Sequence, residues 1–477
     1  MKKSAVVVGA VAVLAAAYTG VAWYVGVQAE KNIQAAVARA NERIVQMLGP
    51  DFETLTARIE MGEYERGIFS SRAHYTFQVR DGENQFEFAL RDHMQHGPFP
   101  WDLVKQGEFA PMLAYSRSEL DDTGTVKRWF DSTRGAMPLE VDTRIGFGGS
   151  GTSVWKFAPV EWVAEGDSVS FSGGHVDVSF ANEFRESDAS GKFGSLIAGS
   201  EGQTIILKDI SLQSRTSTPS EGQIQTHSTV QAATVSFADG DGEIISADRV
   251  VATFDSRQAA AVMDAELRYE LQHVRMGDID LGSVSLGGRL GSFSYEAFAN
   301  LLAEYDAIAE SHGVAEDEDF ELTPEDEARL LKALKPVLAS SPRVEIGPVV
   351  WRNDKGETSL SLRADFEPLA GDTAEEQAEA LVNALKELQF EVAISRPMIL
   401  QAVAQMDSDA AEQAQLQMFA AMMFDQYIGQ LEREGLVRRE DDKAHATIVY
   451  SGGEVAVNEE RMSVEEFLLR YGDFFLF

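Results

Sequence analysis

The chain has no cysteine among its 477 residues. This absence excludes disulfide bonds, thiolate nucleophiles, zinc-thiolate sites and iron–sulfur clusters. Basic residues are also scarce, since 41 lysines and arginines stand against 77 acidic residues and leave a formal net charge of −36. Nucleic-acid binding needs a basic surface, so we expect no nucleic-acid partner. The excess of like charge favours a dispersed, soluble body.

Catalytic motifs are missing as well. The sequence contains neither a G-x-S-x-G nucleophile elbow nor a Walker loop. Acidic residues are so numerous that no pair of carboxylates stands out for acid–base chemistry. We therefore expect a protein that is not an enzyme, with no catalytic residue, no cofactor and no metal.

Only one long stretch lacks charge, and it lies at the start of the chain. Residues 4–29 carry no charged side chain and follow two lysines. About 20 apolar residues in a helix cross the hydrocarbon core of a bilayer, so this stretch is long enough to span one. Trp23 and Tyr24 suit the far membrane interface. We expect an uncleaved signal anchor with residues 1–3 in the cytoplasm; a signal peptide cleaved near Ala15–Ala17 is the alternative.

Residues 30–50 continue the helical pattern and end at Gly49-Pro50. We interpret them as a stalk that carries the exported part away from the membrane. A coiled-coil seam that joins two copies of the chain is the alternative, although the apolar stripe is short.

Residues 51–291 change to short alternating runs of apolar and polar residues, such as 73–79, 139–145 and 175–180. A period of two predicts strands, and the clusters of Gly, Asn, Asp and Ser between the runs predict hairpin turns. No helical stretch intervenes at regular spacing, so antiparallel pairing is favoured over βαβ units. Residues 274–290 are interpreted as one glycine-rich strand with weak register information.

Residues 292–477 mix helices and strands and are expected to pack on the strand-rich region. Thr323-Pro324 predicts a helix start, with Thr as N-cap and Pro in the first turn. Residues 373–388 predict a capped amphipathic helix, and residues 353–356 predict a hairpin turn. The expected fold class is α+β: a transmembrane helix, then antiparallel sheets, with several amphipathic helices in the C-terminal half.

Several stretches resemble the YdgA-like family of bacterial inner-membrane proteins, a family of undefined function. Besides the lysine-started N-terminal run, they are Tyr64–Ser71, His96–Pro100, Arg144–Gly149, Phe171–Gly174, Trp351–Glu357 and Met462–Phe467. They occur in the family's order over nearly the whole length. The resemblance implies an inner-membrane anchor and a large periplasmic domain, and it brings no catalytic residue. A distant likeness to groove-forming envelope proteins of the AsmA type is an architectural analogy.

Three polar patterns are typical of sites, and each has a simpler structural explanation. Gly146–Gly151 matches G-x-G-x-x-G, but a strand pattern follows it where a nucleotide site needs a helix. Asp92, His93 and His96 are residue types that bind zinc or nickel, but we expect packing or surface roles for them. The acidic residues within 316–327 lack the order of a calcium loop, so we expect a solvated loop.

A methionine-rich apolar helix is predicted between about residues 397 and 434, with a break near 407–409. Its candidate functional side chains are Met406, Met418, Phe419, Met422 and Met423. Methionine suits both irregular cores and adaptable grooves. Core packing is the first interpretation, and a groove for acyl chains or a partner helix is the alternative.

These observations predict a non-enzymatic, single-pass inner-membrane protein with a large periplasmic domain that scaffolds or binds an envelope partner. The alternative is lipid binding or transfer in a groove formed by curved sheets, with the methionine-rich helix as a lid. The expected partners are thus the membrane, an envelope protein or a lipid, and a second copy of the chain through the stalk.

Overall fold

The computed structural model describes residues 34, 37, 38, 41 and 55–472, except 82–83, 125, 165, 183–184, 201, 221, 241, 313–321, 372 and 407–409. The expected anchor at residues 4–29, with Trp23 and Tyr24, lies outside the described residues. So does most of the stalk, whose four described residues are helical. Of the helices described, none is both long and apolar enough to cross a bilayer.

The chain divides into two compact units. The first comprises Met1–Glu201 and Asp209–Thr218, and the second comprises Gly202–Lys208 and Pro219–Phe477. The boundary that composition predicts at residue 291 falls inside the second unit, because the strands before it pair directly with the strands that follow.

The first unit is an antiparallel assembly of strands. They are β1 (Leu55–Arg66), β2 (Ser70–Asp81), β3 (Asn84–His96), β4 (Ala114–Leu120), β5 (Leu139–Ile145), β6 (Gly151–Phe157), β7 (Val160–Ala164), β8 (Asp167–Phe171), β9 (Gly174–Ala181) and β10 (Glu186–Ser200). Helices α1 (Trp101–Lys105) and α2 (Lys127–Ser132) precede and follow β4. Strands β1 to β6 pair in chain order, β9 pairs with β6 and β10, and β8 pairs with β7 and β10. Strand β11 (Gln203–Ser217) is divided between the two units.

The core of the first unit follows the alternation of its strands. Leu139 and Val141 of β5 are buried with Leu90 and Leu120, while the residues between them face outward. The strand predicted at residues 139–145 is confirmed with the same ends. The antiparallel pairing predicted for this region is also confirmed.

A polar network stabilises the outer side of the same strands. Tyr115 Oη donates a hydrogen bond of 2.7 Å to Asp142 Oδ1, and Lys156 and Arg117 donate bonds of 2.9 and 3.0 Å to this carboxylate. Burial acts to raise the pKa of Asp142, but these three bonds outweigh it and hold the pKa at about 2.

The second unit alternates long strands with helices. Its strands are β12 (Gln223–Asp239), β13 (Gly242–Ala259), β14 (Val262–Met276), β15 (Ile279–Phe293), β16 (Arg343–Asn353), β17 (Gly356–Phe366), β18 (Leu385–Ser395), β19 (Arg438–Glu440), β20 (Lys443–Ser451), β21 (Glu454–Val457) and β22 (Glu460–Ser463). Its helices are α3 (Tyr295–His312), α4 (Pro324–Leu338), α5 (Ala374–Ala384), α6 (Arg396–Ala404), α7 (Ala410–Arg433) and α8 (Val464–Tyr471). Strands β12 to β18 pair in chain order, and β18 then pairs with β20, all antiparallel.

Local sequence patterns predicted several of these helices and turns correctly. Thr323 caps α4 in a capping box with Asp326, and Pro324 occupies the first turn, as predicted. Asn353 lies opposite Gly356 in the β16–β17 hairpin, which confirms the predicted turn. The expected α+β fold with antiparallel sheets is therefore confirmed.

Two predicted elements are wrong. Residues 274–290 form a hairpin, because Gly277 adopts a φ of +59° and allows a tight turn between β14 and β15. The helix expected over residues 373–388 ends at Ala384, since Leu385 pairs with Phe366 in the sheet. Cross-strand pairing thus overrides the helical spacing of these residues.

Candidate functional site

One face of the second unit's sheet carries apolar side chains on every strand from β12 to β18. Residues directly opposite each other in an antiparallel pair point to the same face. One row of opposite residues consists of Phe254, Leu267, Gly288, Ile346, Leu362 and Phe390. A second row consists of Val230, Ala252, Tyr269 and Leu286. The face is therefore apolar across seven neighbouring strands.

Helices cover this face at β18 and β20. There, Phe424, Ile428 and Leu431 of α7 share an apolar cluster with Val392 and Ile448 of the sheet. From β12 to β17, seven apolar side chains remain between 37% and 47% exposed. They are Val230, Phe254, Leu267, Tyr269, Leu286, Ile346 and Leu360, which we call the apolar floor. An exposed apolar patch of this kind is typical of a binding surface.

The opposite face of the same strands is charged and internally paired. Arg289 lies 2.9 Å from Glu266 on the preceding strand and 3.6 Å from Glu345 on the following strand. On the next pair of strands, Arg343 and Arg363 both donate to Asp365, the latter at 2.6 Å. The charges of these residues are therefore paired within the sheet.

A polar cleft of about 650 Å³ opens where the apolar face ends. We use this name for the ten residues that line it: Gln272, His273, Asp280, Gly282, Ser283, Arg352, Asn353, Asp354, Gln401 and Gln405. They come from β14, β15, β16, the turn after β16, and the C-terminal part of α6. Gln272, Ser283 and Arg352 adjoin in the chain Leu271, Val284 and Trp351 of the apolar face, so they lie at the same end of the strands, with side chains that alternate to the other face. The cleft therefore lies at the strand ends that bound the apolar face.

The cleft is dominated by side chains that form hydrogen bonds. Gln405 Oε1 accepts a bond of 2.8 Å from the amide of Asp280. Arg352 Nε donates to Glu357 at 2.9 Å, so its charge is balanced. Gln401 Oε1 is buried and accepts no hydrogen bond from any described residue. A buried acceptor of this kind favours a ligand that presents a donor such as a hydroxyl or ammonium group.

The five candidate side chains of the methionine-rich segment are exposed to solvent. Met406, Met418, Phe419, Met422 and Met423, which we call the methionine face, are between 47% and 73% exposed. The opposite side of α7 is the one that packs on the sheet. The core interpretation is therefore wrong for these five side chains, and the groove or partner interpretation stays a prediction.

The candidate metal ligands of β3 do not converge. His93 is exposed, whereas Asp92 is buried and accepts hydrogen bonds from two serines of β4. Burial raises the pKa of Asp92, although the serine bonds oppose the shift. His96 is buried, with Nδ1 donating to the Ile68 carbonyl at 3.0 Å and Nε2 2.7 Å from Ser71 Oγ. In the described part of the chain, no three His, Asp or Glu side chains gather in a metal-binding group.

The other two polar patterns are structural as well. Gly146 N donates to the Ser150 carbonyl at 2.8 Å, and β6 follows, so the glycine-rich segment is a hairpin turn as expected. Residues 313–321 of the acidic pattern lie outside the described residues. The Asp326 carboxylate accepts a hydrogen bond from the Thr323 hydroxyl and lies 2.9 Å from His312 Nε2. The bond from Thr323, and after it the bond with His312, lowers the pKa of Asp326 to about 2.

Comparison with known proteins identifies the family. The family described as "Bacterial protein of unknown function (DUF945)" matches residues 1–465. The chain belongs to the DUF945 family. It is 24% identical to Protein YdgA of Escherichia coli strain K12, over 98% of this chain and 96% of that protein. The resemblance to a YdgA-like family is thereby confirmed.

Two further relatives are similar to this DUF945 protein. Uncharacterized protein YihF of the same E. coli strain is 23% identical over 99% of both chains. An uncharacterized protein of Haemophilus influenzae is 26% identical over 37% of this chain and 47% of its own. No solved structure matches the chain.

Sequence reasoning suggested a groove formed by curved sheets, but it identified neither the residues of the apolar floor nor the polar cleft of this DUF945 protein. The alternation in residues 250–254 and 267–271 marks two floor strands, so part of the signal was present. Which strands lie side by side, and in which register, is set by long-range pairing and cannot be obtained from local spacing.

Proposed function

We propose that this DUF945 protein binds an amphiphile, with an acyl chain on the apolar floor and the polar head in the polar cleft. The open apolar face is the observation that carries the proposal. It runs over β12 to β17, seven of its apolar side chains there stay between 37% and 47% exposed, and it ends at a cleft of hydrogen-bonding groups. An apolar surface that adjoins a polar cleft matches the two parts of a lipid molecule.

The size of the floor suits a single acyl chain. Neighbouring strands lie about 4.8 Å apart, so the six strands from β12 to β17 give a width of roughly 24 Å. One leaflet of a bilayer has a hydrocarbon depth of about 15 Å, half the thickness of the core. Each methylene removed from water contributes about 0.8 kcal/mol, so burial of even part of a chain would bind it.

The proposed location follows from the N-terminal sequence. Residues 4–29 are long enough to hold the chain in the inner membrane, with the strand-rich body exported to the periplasm. This arrangement would place the binding units beside a source of lipid. The proposed role is binding or transfer without chemistry, since no catalytic set is apparent in the sequence.

Photo-crosslinking tests the amphiphile proposal. The full chain in detergent micelles is irradiated with a palmitic acid that carries a diazirine, and labelled peptides are identified by mass spectrometry. We expect labels on peptides from β12 to β17. Leu267→Glu should lower this labelling about tenfold or more, because it places a carboxylate in the apolar row. Arg268→Gln, one residue away on the charged face, is the matched control and should leave labelling unchanged. Equal labelling of both variants would contradict the proposal.

The methionine face supports a second candidate function, binding of an envelope protein. Flexible methionines at an exposed helix surface are typical of adaptable protein-binding sites. Crosslinked membranes can be compared after pull-down of the wild type, Met422→Glu, and the control Gln426→Glu, whose side chain is also exposed on α7. A partner captured by the wild type and the control but lost in Met422→Glu would support this function. A set of captured proteins that is the same for all three would exclude the methionine face.

A further inference from the structure

Three connections of the first unit meet at one end of its sheet. Registered pairs place them there: Arg66 lies opposite Ser71, Ser70 opposite Gln95, His96 opposite Ala114, Ala114 opposite Ile145, and Ile145 opposite Gly151. The β1–β2 turn, the segment between β3 and β4, and the β5–β6 turn therefore lie side by side.

These connections expose six large apolar side chains. They are Ile68, Phe69, Phe99, Trp101, Phe109 and Phe147, between 41% and 65% exposed, which we call the aromatic tip. Five of the six are aromatic. Three of the stretches that carry the family resemblance, Tyr64–Ser71, His96–Pro100 and Arg144–Gly149, contribute residues to it.

The backbone beneath the aromatic tip is firmly held. Gly97 N donates to the Leu113 carbonyl at 2.7 Å, and Met112 N donates to the Pro98 carbonyl at 2.9 Å. Leu103 and Met112, from the segment between β3 and β4, are buried in a small cluster with Tyr115. The apolar side chains are therefore presented by an ordered scaffold and have not simply failed to pack.

The charge of the aromatic tip differs from that of the whole chain. Residues 63–72, 97–113 and 144–151 contain four acidic and four basic residues, in a chain of net charge −36. Lys105 Nζ lies 5.9 Å from the centre of the Trp101 ring. An anionic lipid surface would repel most of this protein, but it would not repel these segments.

We propose that the aromatic tip inserts into the interfacial layer of a lipid bilayer. Tryptophan and other aromatic rings favour the depth of the lipid headgroups, where an apolar body and a polar surrounding coexist. Exposed apolar side chains on a locally neutral, ordered surface have the composition that this layer accepts. This proposal goes beyond lipid binding at the floor and is independent of it.

The proposed anchor precedes β1, the strand that leads to the aromatic tip. The side-chain amide of Asn41 exchanges two hydrogen bonds of 2.8 Å with the backbone of Ile59. The uncharged stretch ends at Ala29, 12 residues before Asn41; residues 34, 37, 38 and 41 are helical, and 12 residues of helix span roughly 18 Å. Ile59 lies seven residues before the end of β1, roughly 24 Å from the tip. The two lengths are therefore of the same order.

Fluorescent labelling at introduced cysteines tests this proposal, since the natural chain has none to compete. The full chain carrying Phe147→Cys or Phe69→Cys is labelled with the fluorophore NBD and reconstituted into vesicles of phosphatidylethanolamine and phosphatidylglycerol. Val163→Cys is the control. Its side chain is 81% exposed. Val163 lies opposite Ser168, and Ser168 pairs with Gly199 near the C-terminal end of β10, which is the end of the sheet away from the aromatic tip.

At the two tip positions we expect blue-shifted emission and roughly twofold or greater quenching by doxyl-labelled lipids, with neither effect at the control position. Emission at the tip that matches the control would overturn the proposal. Blue-shifted emission that doxyl lipids fail to quench would also overturn it, because protein and not lipid would then cover the tip. Far-UV circular dichroism of each variant verifies that the labelled chain is folded.

Discussion

The two faces of the sheet in the second unit are built from the same strands and yet differ in how their side chains are satisfied. On one face, Arg289 lies between Glu266 and Glu345, and each charge has a partner within the sheet. On the other face, apolar residues of neighbouring strands align in rows, and helices cover only part of them. The charged face pairs its charges within the sheet, whereas the apolar face leaves surface that another molecule can cover.

The largest expected change in the free energy of unfolding comes from removing a side chain that helix α7 buries against the apolar face. Ile428→Ala removes a buried side chain from the cluster that covers the apolar face, and we expect the free energy of unfolding to fall by about 2–5 kcal/mol. Leu286→Ala on the open floor should cost less than about 1 kcal/mol, because the side chain is already partly in water. Urea unfolding of the two variants measures the difference. Equal losses would show that the floor is covered by something else.

The stability that the charged face contributes should fall at acidic pH. Burial acts to raise the pKa of Asp365, but bonds from Arg343 and Arg363 outweigh it and lower the pKa overall. A carboxylate with a lowered pKa in the folded state stabilises the protein above its unfolded pKa of about 3.9, and this contribution is lost as the pH falls through the folded value.

Asp365→Asn should therefore reduce stability at neutral pH by about 1 kcal/mol and flatten its dependence on pH below about 4. Thermal unfolding of wild type and variant between pH 7 and pH 2 measures both effects. A variant that keeps the full acid dependence of the wild type would assign that dependence to other carboxylates.

The smallest effect is expected from the exposed ion pairs. Arg289→Gln removes two partly exposed pairs and should cost about 0.5 kcal/mol at low ionic strength. Since salt screens exposed charges, the difference from the wild type should disappear near 1 M sodium chloride. A loss that persists in high salt would mean that Arg289 also contributes through packing.

Local sequence patterns predicted much of the fold. The strand at residues 139–145 and the start of α4 at Thr323 follow from alternation and capping, which act within a few residues. Leu385 was misplaced because its helical spacing lost to pairing with Phe366. Helix α1, at Trp101, was missed because it spans five residues and carries too little periodicity to detect.

The candidate site was less accessible to sequence reasoning. The exposure of Met418 and Met422 depends on which side of α7 meets the sheet, and both sides of this helix are apolar. The floor depends on placing Phe254, Leu267 and Ile346 opposite one another across more than 90 residues of chain. Such alignment comes from the register of the whole sheet, which short stretches do not encode.

The side-chain amide of Asn41 takes the place of a neighbouring strand at one residue of β1. β1 pairs with β2 on one side, and on the other side the carboxamide occupies both the amide and the carbonyl of Ile59. An unpaired edge strand can form hydrogen bonds with a strand of another molecule, and such pairing leads to fibres or aggregates. A fragment that lacks residues 1–41 would leave the edge of β1 unpaired at Ile59. A soluble fragment meant for crystallisation should therefore include Asn41.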